Sequence, residues 1–436
     1  MTVTTRGVGH LPRRVGIFGS AGLVLVSSVV WGCAGQAAAI GFAASQATRA
    51  AGSPDAAQEA AAAVDAFGFD LYRATASSGG NMVMSPASVA LALSMARAGA
   101  NGDTAAQMDK VLHSATASGG GNGLNSLDKA LAGISGTFKD ALGREQQLTL
   151  SIANAPFVQK DLQLQTPYLD TLASQFGAGL RLVDFKTDST GACRLINSWV
   201  SDQTAGRIPT LLDQLDPATR LVLVNAIYLK APWLTKFDTG ETTTEPFTRP
   251  DNSQVSVPTM RVWLPDTLYA SGSGWQAVEL PYLNPSLAMT IVVPNDLATF
   301  EASLDAAYFG QITAALQKAT VDLSLPRFKV ETKSDLASVL GGMGMPLALD
   351  PVSADFSGIT TQEQLYIARV VHQANIEVDE NGTVASAAAA VEMLAGATMA
   401  PQQTVTLRVD RPFIFAVRDT TTGAILFLGR VVDPSA

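Results

Sequence analysis

VDENGTVASAAAAVEM, Val378 to Met393, is the stretch on which the reading of this chain turns. Acidic residues and a glycine open it, and a run of small side chains follows. Roughly twenty residues further on, RPFIFAVRD (Arg411 to Asp419) reads as a core strand. Connections in a compact domain are mostly short, and long ones are usually functional or disordered. A long small-residue segment beside a C-terminal strand therefore reads as a loop exposed to cleavage. Two local structures fit it. Alanine is the best helix former, with Thr383 as a cap and Gly396 as a stop. With a period of two, Thr383, Ala385, Ala387, Ala389 and Val391 instead share one face. All are small or apolar, so that face can enter a sheet without burying a charge. The other face, Val384, Ser386, Ala388, Ala390 and Glu392, tolerates water. Both can hold in turn: helical or extended while exposed, a strand once inserted.

Working outward, the chain is long and apolar enough for a large packed core, with 436 residues and 47% hydrophobic content. No internal repeat of solenoid length is visible. The formal charge is −9. Residues 1–32 hold Arg6, Arg13 and Arg14 and no acid, so the remainder carries 26 basic against 38 acidic residues, or −12. That balance argues against a nucleic-acid partner, which needs clustered Lys and Arg.

The N-terminus reads as a targeting segment. A basic region precedes an apolar stretch, Val15 to Trp31, which is short for a membrane span. It ends at VWGC, and Cys33 after Gly32 resembles a bacterial lipobox, in which the cysteine is lipidated and becomes the first mature residue. The alternative is plain secretion with cleavage near Ala37 to Ala39. The expected organisation is a signal peptide over 1–32, a flexible Ala/Gly/Ser-rich tether over 33–57, and one domain over 58–436. If Cys33 is lipidated, Cys193 stands alone, and it reads as a buried small residue.

Pro54-Asp55 opens an amphipathic helix with Val64, Phe67, Leu71 and Tyr72 on one face, and Ser85-Pro86 opens a second. SGGGNG, Ser118 to Gly123, reads as a loop, with no phosphate-cradle motif after it. Apolar runs at Leu148 to Val158, Leu221 to Tyr228, Met289 to Val293 and Phe413 to Val417 read as strands. Helices early and strands later predict an α+β fold.

Catalytic signatures are missing. Past the leader the chain has two histidines, His113 and His372, with no HExxH, CxxC or G-x-S-x-G. A hydrolase would need His372 as base, with Ser85 brought to it by the fold. No metal, cofactor or enzymatic activity is expected.

Glu380, Asn381, Gly382, Thr383 and the small run Ala385 to Ala390 resemble the hinge of the serpins, the serine-protease-inhibitor superfamily. Other blocks of that family follow in order. They are NMVMSPASVALALSMARAGANGDTAAQM (Asn81 to Met108), INSWVSDQTAGRIPTLL (Ile196 to Leu212), LVNAIYLKAPWLTKFD (Leu223 to Asp238), LPRFKVETKSDLASVLGGMGM (Leu325 to Met345), ADFSGI (Ala354 to Ile359) and RPFIFAVRDTTTGAILFLGRVVDP (Arg411 to Pro434). The resemblance spans the whole domain, roughly 58 to 436.

The resemblance implies about nine helices packed on three β-sheets, with an exposed C-terminal reactive-centre loop at about 380–406. It implies a suicide substrate: a protease forms an acyl-enzyme with the loop, the cut hinge inserts as a new central strand, and deacylation stalls. Inserted inner-face residues must be small, which Thr383, Ala385, Ala387 and Ala389 are. By the same resemblance Ser85, Ser88, Asn225 and His372 form the shutter beneath the opening sheet. Trp233, Arg327 and Glu380 form the breach, where an exposed Glu380–Arg327 pair holds the loop's base. The scissile bond falls at Gly396–Ala397 counting forward from the hinge and near Pro401 counting back from Arg408 to Phe413; Met393, Leu394 and Met399 are further candidates. No Lys or Arg lies between Glu380 and Thr406, so elastase-, chymotrypsin- or subtilisin-like targets fit, and papain-like cysteine proteases stay open. A non-inhibitory surface protein of the same fold is the alternative. The expected protein is a monomer, extracellular or anchored to the cell envelope through Cys33.

Overall fold

Two apolar runs, LVLVNAIYLKAP and RVVHQANIEVD, become the middle strands of the larger sheet, Leu221–Pro232 and Arg369–Asp379. The first is buried along nearly its whole length, as a strand covered on two faces must be; the second is buried from Val370 to Ala374 and then alternates, with Glu377 exposed. The structure, a computed structural model, describes residues 39–76, 79–114, 121–383 and 404–436.

The eight strands of this sheet run in the order Gly41–Ala43, Leu180–Val183, Glu145–Gln159, Leu221–Pro232, Gly382–Thr383, Arg369–Asp379, Phe328–Asp335, with Gly136–Lys139 paired to Glu145–Gln159 at the side. The two smaller expected sheets share the 19-residue strand Gln254–Gly272 and form one network of nine strands. That network also holds Thr404–Arg408, Phe413–Asp419 and Ile425–Val431. Nine α-helices stand among the described residues.

Strand alternation divides the core. Leu221, Leu223, Ile227, Leu229 and Ala231 face the main core. Val222, Val224 and Ala226 face a second cluster with Ile196, Trp199 and Val200 of the helix Ser189–Gln203. The helix Pro54–Ala76 buries Val64, Phe67, Leu71 and Tyr72, and Pro86–Arg97 starts on an Ser85 cap whose hydroxyl accepts from Ser88 N. Cys193 is buried and free.

Two expectations are corrected. The tether over 33–57 does not extend through the described residues 39–57. Gly41–Ala43 pairs with Leu180–Val183, Arg49 donates to Asn125 and Asp128, and Ala50 N donates to Ser174 O. Small residues suit close packing as well as flexibility, and composition alone does not separate the two. The loop read over Ser118 to Gly123 gives way at its end to a helix, Gly121–Ala132.

Candidate functional site

The two middle strands are paired along only part of their length. Arg369 to Ala374 runs parallel to Val222 to Ile227 in direct register. Beyond that the strands part, and Gly382–Thr383 lies between them. Thr383 pairs with Ala231 on one side and Val378 on the other, antiparallel to both. Asp379 turns the chain back tightly, its carboxylate accepting from Asn381 N and Gly382 N. Burial pushes that carboxyl up, against the pull of those two hydrogen bonds. Gly382 is required where it stands: a Cβ would lie 2.2 Å from Ala231 O, and its φ is 150°. Thr383 is fully buried, its hydroxyl 2.6 Å from Tyr282 Oη.

Around this two-residue strand, Trp233 stacks on Tyr282 at 4.4 Å and 13°. Its indole N–H donates to Asp379 O, and its backbone N–H to Asn381 O. Arg327 Nε donates to Glu380 Oε1 at 2.8 Å, and Thr242 Oγ1 donates to the same oxygen. Burial alone would raise the Glu380 carboxyl, but these hydrogen bonds outweigh it and leave it below its ordinary value. The pair is not the exposed one expected, because the carboxylate side chain is only 4% accessible while Arg327 is half out in solvent. Buried acids persist where donors converge on them.

Further down the strands, His372 and Asn225 are partners in the parallel register. His372 Nε2 accepts from Ser85 N at 3.1 Å, so Nδ1 carries the proton and donates to Asn225 Oδ1. Burial holds this imidazole neutral, its pKa pulled down to about 3. Asn225 Nδ2 donates to Ser88 Oγ and Asn154 Oδ1, and Ser88 Oγ donates to Asn154 Oδ1. The Ser85 hydroxyl is turned to Ser88 N. Both ring nitrogens of His372 are committed and no serine hydroxyl faces them, so there is no nucleophile–base pair here.

The family model described as Serpin (serine protease inhibitor) matches residues 62–434. The chain is a serpin. It is 36% identical to an uncharacterised serpin-like protein of Thermococcus kodakarensis over 85% of each chain. It is 34% identical to the leukocyte elastase inhibitor of Xenopus laevis over 84% of this chain and 97% of that protein. The native-state structure of the thermophilic serpin tengpin superposes with a TM-score of 0.79 at 25% identity, covering 91% of this chain and all of that one.

In this serpin the fold brings Ser85, Ser88, Asn225 and His372 into one buried cluster, and Trp233, Arg327 and Glu380 into another at the open end. Gly382 and Thr383 lie at that end too. Ala385, Ala387 and Ala389, together with Met393, Leu394, Gly396, Ala397, Met399 and Pro401, lie outside the described residues, as does Cys33. Sequence reasoning missed Asn154, Thr242 and Tyr282. Asn154 left a signal, a lone amide inside the apolar strand IANAPFV; the other two left none.

Proposed function

We propose that this serpin inhibits its target by loop insertion, and that the target is a serine endopeptidase of elastase-, chymotrypsin- or subtilisin-like specificity. The observation that carries the reading is the two-residue strand Gly382–Thr383, already paired on both sides between the middle strands. A strand continuing that register sets Ala385 opposite Leu229 and Ile376, Ala387 opposite Ile227 and Ala374, and Ala389 opposite Asn225 and His372. Side chains on that face enter the main core, where only small ones fit between strands already packed. Insertion exchanges one parallel ladder for two antiparallel ones, and antiparallel pairing is the more stable per residue. Cleavage of the loop removes the restraint that keeps the strand out.

The hinge is Glu380, Gly382, Thr383, Ala385, Ala387 and Ala389; Ser85, Ser88, Asn225 and His372 act as the shutter that parts when the strand passes. Trp233, Arg327 and Glu380 set the point of entry. The reactive bond lies at Gly396–Ala397 or at Met393, Leu394, Met399 or Pro401. The lack of Lys and Arg between Glu380 and Thr406 and the elastase inhibitor among the relatives support the target class. Export through residues 1–32 with lipidation at Cys33 would set the inhibitor on the cell envelope.

Incubation with elastase, chymotrypsin, subtilisin, trypsin and papain tests this. A denaturant-resistant covalent complex with one of the first three is the expected result, and the released C-terminal peptide gives the scissile bond. Clean cleavage by all of them, with no rise in melting temperature of the cleaved chain, overturns the reading.

A further inference from the structure

On the strand Leu180–Val183, second from the edge between Gly41–Ala43 and Glu145–Gln159, Arg181 is a half-buried cation without a carboxylate partner among the described residues. Its guanidinium rests on two rings, 4.5 Å from the Trp199 centroid and 5.7 Å from that of Phe42. Burial draws its pKa down, as it does for a cation lacking a counter-charge. Nearby, the Trp199 indole N–H is buried with no acceptor. Phe42 reaches Arg181 because residue 179 is glycine: a Cβ there would lie 2.7 Å from the Phe42 ring.

These groups line a cavity of about 260 Å³, with Leu91, Met95 and Ile152 on its apolar side. That is roughly the volume of nine waters, enough for a single ring with one short substituent. The acid in the lining, Asp128, is already paired with Arg49. The wall thus offers the parts of two aromatic rings that the guanidinium leaves uncovered, an aliphatic surface, and a cation with no carboxylate partner among the described residues. Guanidinium pairs carboxylates in a bidentate fork, more strongly than it pairs neutral acceptors.

We propose that this cavity binds a small aromatic monocarboxylate, its carboxylate on Arg181 and its ring against Trp199 and Leu91. The cavity is also lined by Asn154 and Gln203, so the occupant touches both the strand Glu145–Gln159 and the helix Ser189–Gln203 that packs on its outer face. Occupancy ties these elements together and raises the melting temperature of the uncleaved chain.

Calorimetric titration of the full chain with benzoate and with phenylacetate tests this, with benzamide as the uncharged control. The expected result is saturable one-to-one binding of an acid, weakened about tenfold or more in Arg181→Gln and in benzamide. Absence of saturable binding by both acids, or equal binding by the variant, overturns the site. Nuclear Overhauser contacts between bound benzoate and the Trp199 indole give a reading that needs no variant. Contacts to another part of the molecule overturn it equally.

Discussion

His372 and Asn225 face each other across the parallel pair of middle strands, joined through Nδ1 and Oδ1 in the same register that Ala389 would occupy on insertion. Burial keeps the imidazole neutral, and its other nitrogen accepts from Ser85 N. A proton added to Nε2 would set donor against donor. The folded pKa of about 3 lies below the ordinary 6.5. Between those values the unfolded chain holds the proton and the folded one does not. Stability from this group is therefore complete above about pH 6.5 and falls as pH drops toward 3, by up to about 1.4 kcal/mol per pH unit. Denaturant melts at pH 4 to 7 comparing the parent with His372→Gln give the expected contrast: the variant is less stable at pH 7 and the difference shrinks toward pH 4.

Asp65 works in the opposite direction. Burial raises its carboxyl to about 8, despite the hydrogen bond from Ile425 N and the charge of Arg418. The folded chain then holds a proton that the unfolded chain releases above about pH 4. Its contribution is complete at low pH and is lost as pH rises toward 8. Asp65→Asn keeps the acceptor and removes the titration. Between pH 6.5 and 8, where His372 is silent, the variant should gain on the parent by up to about 1.4 kcal/mol per unit. A parallel pair of stability curves over that interval would count against it.

Arg327 donates to a carboxylate that is itself out of solvent. Arg327→Ala leaves Glu380 with Thr242 as its side-chain donor. Because Arg327 is half-exposed, the loss is about 1–2 kcal/mol rather than the larger cost of a fully buried pair. The denaturation midpoint should fall accordingly, and Arg327→Lys should recover part of it.

In the proposed mechanism, strand entry depends on Gly382 and Thr383. Gly382→Ala would drive a Cβ into Ala231 O, and Thr383→Arg would bury a charge beside Tyr282. Both variants are expected to fold and to be cleaved without forming a covalent complex. If Thr383→Arg traps a protease as well as the parent does, the inward face of the hinge is misassigned.

Residues 39–53 are held on the body of the domain, so the Arg49–Ala50 bond should resist trypsin in the native chain. Ala50 N is tied to Ser174 O, and the Arg49 side chain to Asn125 and Asp128. Rapid native cleavage there, at the rate of an unstructured peptide, would restore the tether reading.

Much of this was legible in the residues. LVLVNAIYL, FIFAVRD and the SP pair state their elements by period and cap, because alternation and N-terminal proline act locally. Asn154 was visible as an amide in an apolar strand, but its partners Ser88 and Asn225 lie far off in the chain.

The sequence by itself determined the elements and the family blocks, since each depends on neighbours a few positions apart. Tertiary structure alone decided where the parallel ladder stops at Ala374 and Ile227, so that Thr383 can lie between the parted strands. It also decided that the Glu380 carboxylate is buried rather than exposed, and that an Ala/Gly/Ser-rich segment packs instead of dangling. Burial and register are properties of what surrounds a residue, and those surroundings come from segments far apart in the chain.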